Sequence, residues 1–124
     1  MPQPRLNLIV LRVADIDRSA AFYQPLGLVF DRHSHGAGPE HLAAALGDVV
    51  FELYPASDKQ PVTASVRIGF SVDDLDLTIQ RCMAVPDAKL VSPPQNSEWG
   101  YRAVVADPDG HRVELIPSAI PLNR

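Results

Sequence analysis

Residues 6–13 form a nearly continuous apolar run, interrupted only by Asn7 and Arg12, which predicts a strand with Leu8, Val10 and Arg12 on one face and Ile9, Leu11 and Val13 on the other. Ile16, Ala20 and Tyr23 then recur at i, i+4 and i+7, one stripe of a helix. Asp15 or Asp17 can cap that helix, and Pro25 should end it near Gln24. Gly27 turns the chain into a strand over 28–34, and 35–39, with two glycines and a proline, reads as a turn. Further strands over 40–46 and 48–54 are joined by a tight reversal at Gly47-Asp48. The predicted order is β-α-β-β-β.

That order comes twice. Leu11-Arg12-Val13-Ala14-Asp15-Ile16 reads like Phe70-Ser71-Val72-Asp73-Asp74-Leu75, and Leu75, Ile79 and Cys82 take the places of Ile16, Ala20 and Tyr23. The spacing of about sixty residues is too long for a short-period solenoid and fits two copies of one α+β module. The second copy should hold a strand over 65–72, a helix capped by Asp73 or Asp74 and ended by Pro86, and a short strand at 89–91. An irregular loop over 92–98 carries Pro93 and Pro94. Strands at 101–106 and 111–116 flank an Asp107-Pro108-Asp109-Gly110 turn. We expect one domain over 1–124, with modules at about 5–55 and 64–117 and a polar linker over 55–63.

Composition narrows the classes. Net charge is −4 with no Lys/Arg cluster, which argues against nucleic-acid and anionic-membrane partners. Apolar runs are interrupted by Arg12, Asp48 and Arg67 and are too short to span a bilayer. There is no signal-peptide pattern, and the single Cys82 cannot form an internal disulfide, so a cytoplasmic location is expected. Cys82 falls on the apolar stripe of the second helix and reads as a buried, inert thiol.

The chemistry-bearing pattern is a pair of carboxylates in matching strings. Val50-Phe51-Glu52-Leu53-Tyr54-Pro55 resembles Arg112-Val113-Glu114-Leu115-Ile116-Pro117. A charge in an apolar run is costly unless paired, so Glu52 and Glu114 point to one site built by duplication.

With these pieces the chain resembles the vicinal oxygen chelate superfamily, which includes glyoxalase I, bleomycin- and fosfomycin-resistance proteins and extradiol dioxygenases. The resemblance rests on Leu11-Arg12-Val13-Ala14-Asp15-Ile16 with Phe22-Tyr23-Gln24-Pro25-Leu26-Gly27, and on Asp107-Pro108-Asp109-Gly110-His111-Arg112-Val113-Glu114-Leu115. It implies tandem βαβββ modules whose mixed sheets curl around an open cavity, helices outside, with two chains pairing to complete it. It also implies four metal-ligand positions, which fall here on Leu8, Glu52, Arg67 and Glu114. Leu8 has no lone pair, and Arg67 is a permanent cation with no acceptor. No divalent metal is therefore expected at those four positions, and Arg67 is expected to stand in for the ion beside Glu114 or both glutamates.

Several residues admit two readings. Glu52 and Glu114 are candidate acid/base groups, but a neighbouring arginine makes a carboxylate a poor base. Arg67, Arg12 and Arg102 are candidates for gripping an anionic ligand; the alternative is solvation. Tyr54, Trp99 and Tyr101 are candidate pocket walls, whereas Phe22, Phe30, Phe51 and Phe70 belong to the core. His33, His35 and His41 could form a displaced zinc site with one open position, or merely a polar hairpin tip. His111 reads as a surface residue. The leading expectation is a homodimeric small-molecule-binding protein of this superfamily. Metal-dependent lyase, isomerase or dioxygenase activity is the alternative, and a non-catalytic structural or regulatory module the third.

Overall fold

The computed structural model describes residues 2–63, 65–98 and 100–118. Strand β1 (Leu8–Val13) leads into helix α1 (Ile16–Tyr23), then β2 (Phe30–His33), β3 (His41–Leu46) and β4 (Val49–Pro55). The second half repeats this with β5 (Arg67–Val72), α2 (Leu75–Met83), β6 (Lys89–Ser97), β7 (Gly100–Ala106) and β8 (Arg112–Pro117). Each half makes a four-stranded mixed sheet, ordered β1-β4-β3-β2 and β5-β8-β7-β6, with the first and last strands of each half paired in parallel. The repeat legible in the sequence is thus a repeat of topology.

Local chemistry accounts for the helix ends. Asp15 accepts hydrogen bonds from the amides of Asp17 and Arg18, and Asp74 accepts from that of Leu77. Pro25 falls in a short 3-10 turn, Gln24–Leu26, closed by Gly27 at φ 110°. A left-handed residue there suits glycine, which has no Cβ to clash.

One face of each sheet is sealed. Leu11, Val13, Phe51 and Leu53 of the first sheet and Val113 and Leu115 of the second are buried, together with Ala20, Phe22 and Tyr23 of α1 and Ile79 and Cys82 of α2. Tyr23 sits 5.0 Å from Phe51 and 6.2 Å from Phe70, so the aromatic core spans both halves. Phe30 and Phe70 are half-buried against it. Burial pushes the Cys82 thiol up to about 12, and its Sγ contacts the carbonyl of Phe22 at 3.3 Å.

Two expectations are corrected. Residues 92–98 are not simply a loop: β6 runs from Lys89 to Ser97, with register shifts between Leu90 and Ser92 and between Ser92 and Gln95. Pro93 and Pro94 are tolerated because β6 is an edge strand, where a missing N–H breaks no central ladder. His111, expected at the surface, is 1% exposed. Its Nδ1 lies 2.9 Å from Asp107 Oδ2 and its Nε2 2.6 Å from Thr63 Oγ1. Asp107 also accepts a 2.7 Å bond from the Tyr23 hydroxyl, and Asp109 accepts from the Ala14 amide and the Ser19 hydroxyl. The turn before β8 is therefore a polar clasp between the halves. Asp107, Asp109 and His111 lie close enough to share an ion, but both imidazole nitrogens and both Asp107 oxygens already have protein partners.

Candidate functional site

Strand alternation decides which side chains face away from the sealed core. In the first sheet these are Leu8, Val10 and Arg12 of β1, opposite Val50, Glu52 and Tyr54 of β4. Ala43 pairs with Glu52, Asp31 with Ala43, and His33 with His41. Two rows result. One is a stack: the Arg12 guanidinium lies 4.7 Å from the Tyr54 ring centre, and Tyr54 and His41 stack at 4.1 Å and 7°. His33 follows at 5.7 Å from His41. Cation–π and π-stacking contacts order such a row. In the other row Glu52, its side chain 19% exposed, comes within 3.8 Å of His41 Nε2. A cavity of about 360 Å³ is lined by Asp31, His33, His35, His41, Val50 and Glu52, with alanines of β3 as its floor.

The second sheet carries a different arrangement. Glu114 Oε2 is 3.2 Å from Arg67 and makes a still shorter contact with Arg102 of β7. Arg67 is half-exposed, while Arg102 is more enclosed. Both guanidinium groups converge on one carboxylate oxygen, a charge-assisted arrangement stronger than a single exposed pair. Glu114 lines a separate cavity of about 260 Å³ with Gly69, Phe70, Ser71 and Ile116.

The sequence candidates are thus distributed unevenly. Glu52 joins the histidines, and Glu114 joins Arg67 and Arg102; the two carboxylates line different cavities. Arg67 meets Glu114 and has no recorded contact with Glu52 among the described residues. Arg12 and Tyr54 stack together, and Arg12 also borders a wider cleft of about 580 Å³ with Pro39, Lys59 and Gln60. Tyr101 is exposed and shares its alternation with Ala103 and Val105, away from Arg102 and Glu114. Trp99 lies outside the described residues. Leu8 is 49% exposed and offers only a hydrocarbon. The role of His41 was the least legible: it is 3% exposed, held under a ring and beside a carboxylate, because β3 is an interior strand of its sheet.

Two βαβββ halves of identical strand order, each with a carboxylate on the open face of its last strand, define a class of paired-module proteins with cupped faces. The chain belongs to the Glyoxalase/Bleomycin resistance protein/Dioxygenase superfamily, whose family model matches residues 5–115. It is 30% identical over 127 aligned residues to the "Probable lactoylglutathione lyase" of Vibrio cholerae serotype O1, covering 94% of this chain and 92% of that protein. Among solved structures it is similar to TnmS3, an antibiotic binding protein from Streptomyces sp. CB03234, with TM-score 0.71, 24% identity and coverage of 96% and 99%. It is also similar to a glyoxalase-related enzyme from Fulvimarina pelagi, with TM-score 0.73, 21% identity and coverage of 95% and 91%. No helix among the described residues is long and apolar enough to cross a membrane.

Proposed function

We propose that this chain is a small-molecule-binding member of its family in which the metal-ligand positions are lost: Arg67 and Glu114 form an ion-pair cluster with Arg102, while Leu8 and Glu52 stand apart from it. The carrying observation is the Glu114 carboxylate held by both Arg67 and Arg102. The donor set at Leu8, Glu52, Arg67 and Glu114 does not suit a divalent ion. Two carboxylates fall short of the six or more oxygens that Mg²⁺ and Ca²⁺ take, and Leu8 and Arg67 supply no imidazole for Zn²⁺. A divalent ion about 4 Å from one guanidinium also meets a gross repulsion of roughly 8 kcal/mol at an effective dielectric of about 20.

The open faces suit a partly apolar organic ligand that carries charged or polar groups. The Arg12–Tyr54–His41 row presents a guanidinium and ring edges, since Arg12 and His41 cover the two faces of Tyr54; Leu8, Val10 and Val50 add apolar area, and Glu52 and the arginines add fixed charges. Antibiotic binding by the similar TnmS3 supports this reading. Because Glu52 and Glu114 line separate cavities, we further propose that two chains pair to bring such faces into one binding cup, in the cytoplasm.

A second reading is favoured by one observation, the similarity to a lactoylglutathione lyase: a metal-dependent lyase, isomerase or dioxygenase with unorthodox ligation around Glu52 and Glu114, since Leu8 and Arg67 supply no donor. A non-catalytic structural or regulatory module is the third. Metal analysis after incubation with Ni²⁺, Zn²⁺, Mn²⁺ or Fe²⁺ separates the first two. We expect no stoichiometric metal that depends on Glu114; metal that Glu114→Ala abolishes overturns the first reading and favours the second. Fluorescence of Trp99, the single tryptophan, titrated with a panel of metabolites and drugs separates the first from the third. Saturable quenching is expected, and a flat response across the panel favours the structural module.

A further inference from the structure

We infer that the β2–β3 hairpin carries a transition-metal site of its own, built by His33, His35 and His41 and distinct from the four family positions. The three imidazoles gather from both arms and the tip of the hairpin. Their ring centres form a near-equilateral triangle with sides of 5.4, 5.7 and 6.0 Å. A tetrahedral ion about 2 Å from three imidazole nitrogens holds those nitrogens roughly 3.3 Å apart. Here the rings stack instead of converging, and their nitrogens do not all lie within 4.8 Å of one another, so binding requires His33 and His35 to turn inward.

One corner is already fixed. His41 is buried and stacked on Tyr54, and its Nδ1 lies 3.5 Å from the Pro39 carbonyl. The tautomer that donates from Nδ1 to that carbonyl leaves the Nε2 lone pair directed toward the side of the cavity where Glu52 stands, 3.8 Å away. The other two corners are adjustable. His33 and His35 are exposed, and their rings, 13° from parallel, turn about their own side-chain bonds to aim a nitrogen at a common point. The backbone beneath them is braced: Arg32, between these rows, bonds Asp17 of α1 at 2.5 Å and Glu40 at 3.4 Å.

The ligand set is three neutral imidazoles with a carboxylate beside them, which suits Zn²⁺, Co²⁺ or Ni²⁺ over Mg²⁺ or Ca²⁺. Asp31 and Glu52 line the same cavity of about 360 Å³, so the fourth position opens toward carboxylate or water in a space large enough for a small ligand. The ion would give this cup an electron-pair acceptor on its first sheet, opposite in kind to the arginine-neutralised Glu114 on the second.

The test is titration of the metal-stripped, untagged full chain with Co²⁺, read by visible absorption and by equilibrium dialysis. One Co²⁺ per chain with the intense bands of a four-coordinate nitrogen and oxygen site is expected. His33→Ala and His35→Ala, both at exposed positions, should each weaken binding by more than the roughly 10-fold that loss of even an outer partner costs. Glu114→Gln should bind as the parent does. Absence of saturable binding, or binding that both histidine variants retain, overturns the inference and leaves the proposed ligand cup standing. Binding lost in Glu114→Gln but kept in both histidine variants overturns the inference and the proposed loss of the family site together.

Discussion

Asp107 shows how much one side chain can carry. It is 1% exposed, and burial by itself pushes its carboxyl up. Hydrogen bonds from His111 and Tyr23, with the charge of His111, outweigh that and hold it below the usual carboxylate range. A carboxyl whose folded value is depressed stabilises the fold fully above its unfolded value near 3.9, and that stabilisation is lost as pH falls through the lower folded value. Stability of the parent should therefore decline from about pH 4 downward, in part through this group. In Asp107→Asn the acid decline should be shallower and the stability at pH 7 lower by about 1–3 kcal/mol, since the buried hydroxyl and imidazole lose a charged acceptor. Urea unfolding between pH 2 and 8 measures both. A parallel pair of curves would show that Asp107 does not set the acid limb.

At the level of elements, the helices are short, eight and nine residues, so their ends matter. Isolated helices of this length are marginal, and capping and packing decide whether they form. Asp15 satisfies two amides of α1 and Asp74 one of α2. Asp15→Ala should cost about 0.5–2 kcal/mol, and Asp74→Ala no more than that, by urea denaturation at neutral pH. A larger loss in Asp74→Ala would show that end satisfaction is not what ranks them. The sheets illustrate a second rule. Each sheet has a core face and a more open face, although β7 is buried on both faces from Ala103 to Ala106, and the open faces differ in chemistry: rings and a carboxylate in one half, an arginine-bound carboxylate in the other.

For the molecule as a whole, the clasp from β7–β8 onto β1 and α1 makes the two halves interdependent. Asp107, Asp109 and His111 reach Tyr23, Ala14, Ser19 and Thr63, and Arg18 of α1 pairs with Asp87, in the turn after α2, at 2.8 Å. The chain should therefore unfold in one transition, with circular dichroism and Trp99 fluorescence giving the same midpoint. His111→Ala leaves the buried Asp107 charge without its imidazole, and we expect a loss of about 3–5 kcal/mol. Two separated transitions in the parent chain would show that the clasp does not couple the halves.

What the sequence determined was local or periodic. Apolar runs bounded by turn residues placed the strands, aspartates marked the helix starts, Pro25 and Gly27 the first helix's end, and near-duplicate strings announced the repeat and the two carboxylates. Pro93 and Pro94 misled because a breaker signal does not say whether a strand will lie at an edge. Only the tertiary structure decided that His111 is buried, that His41 lies under Tyr54, and that Glu52 and Glu114 line different cavities. The physical reason is distance along the chain. Tyr23 and Asp107 are 84 positions apart and Thr63 and His111 are 48 apart, so their pairing follows from how the two sheets dock, not from any local period.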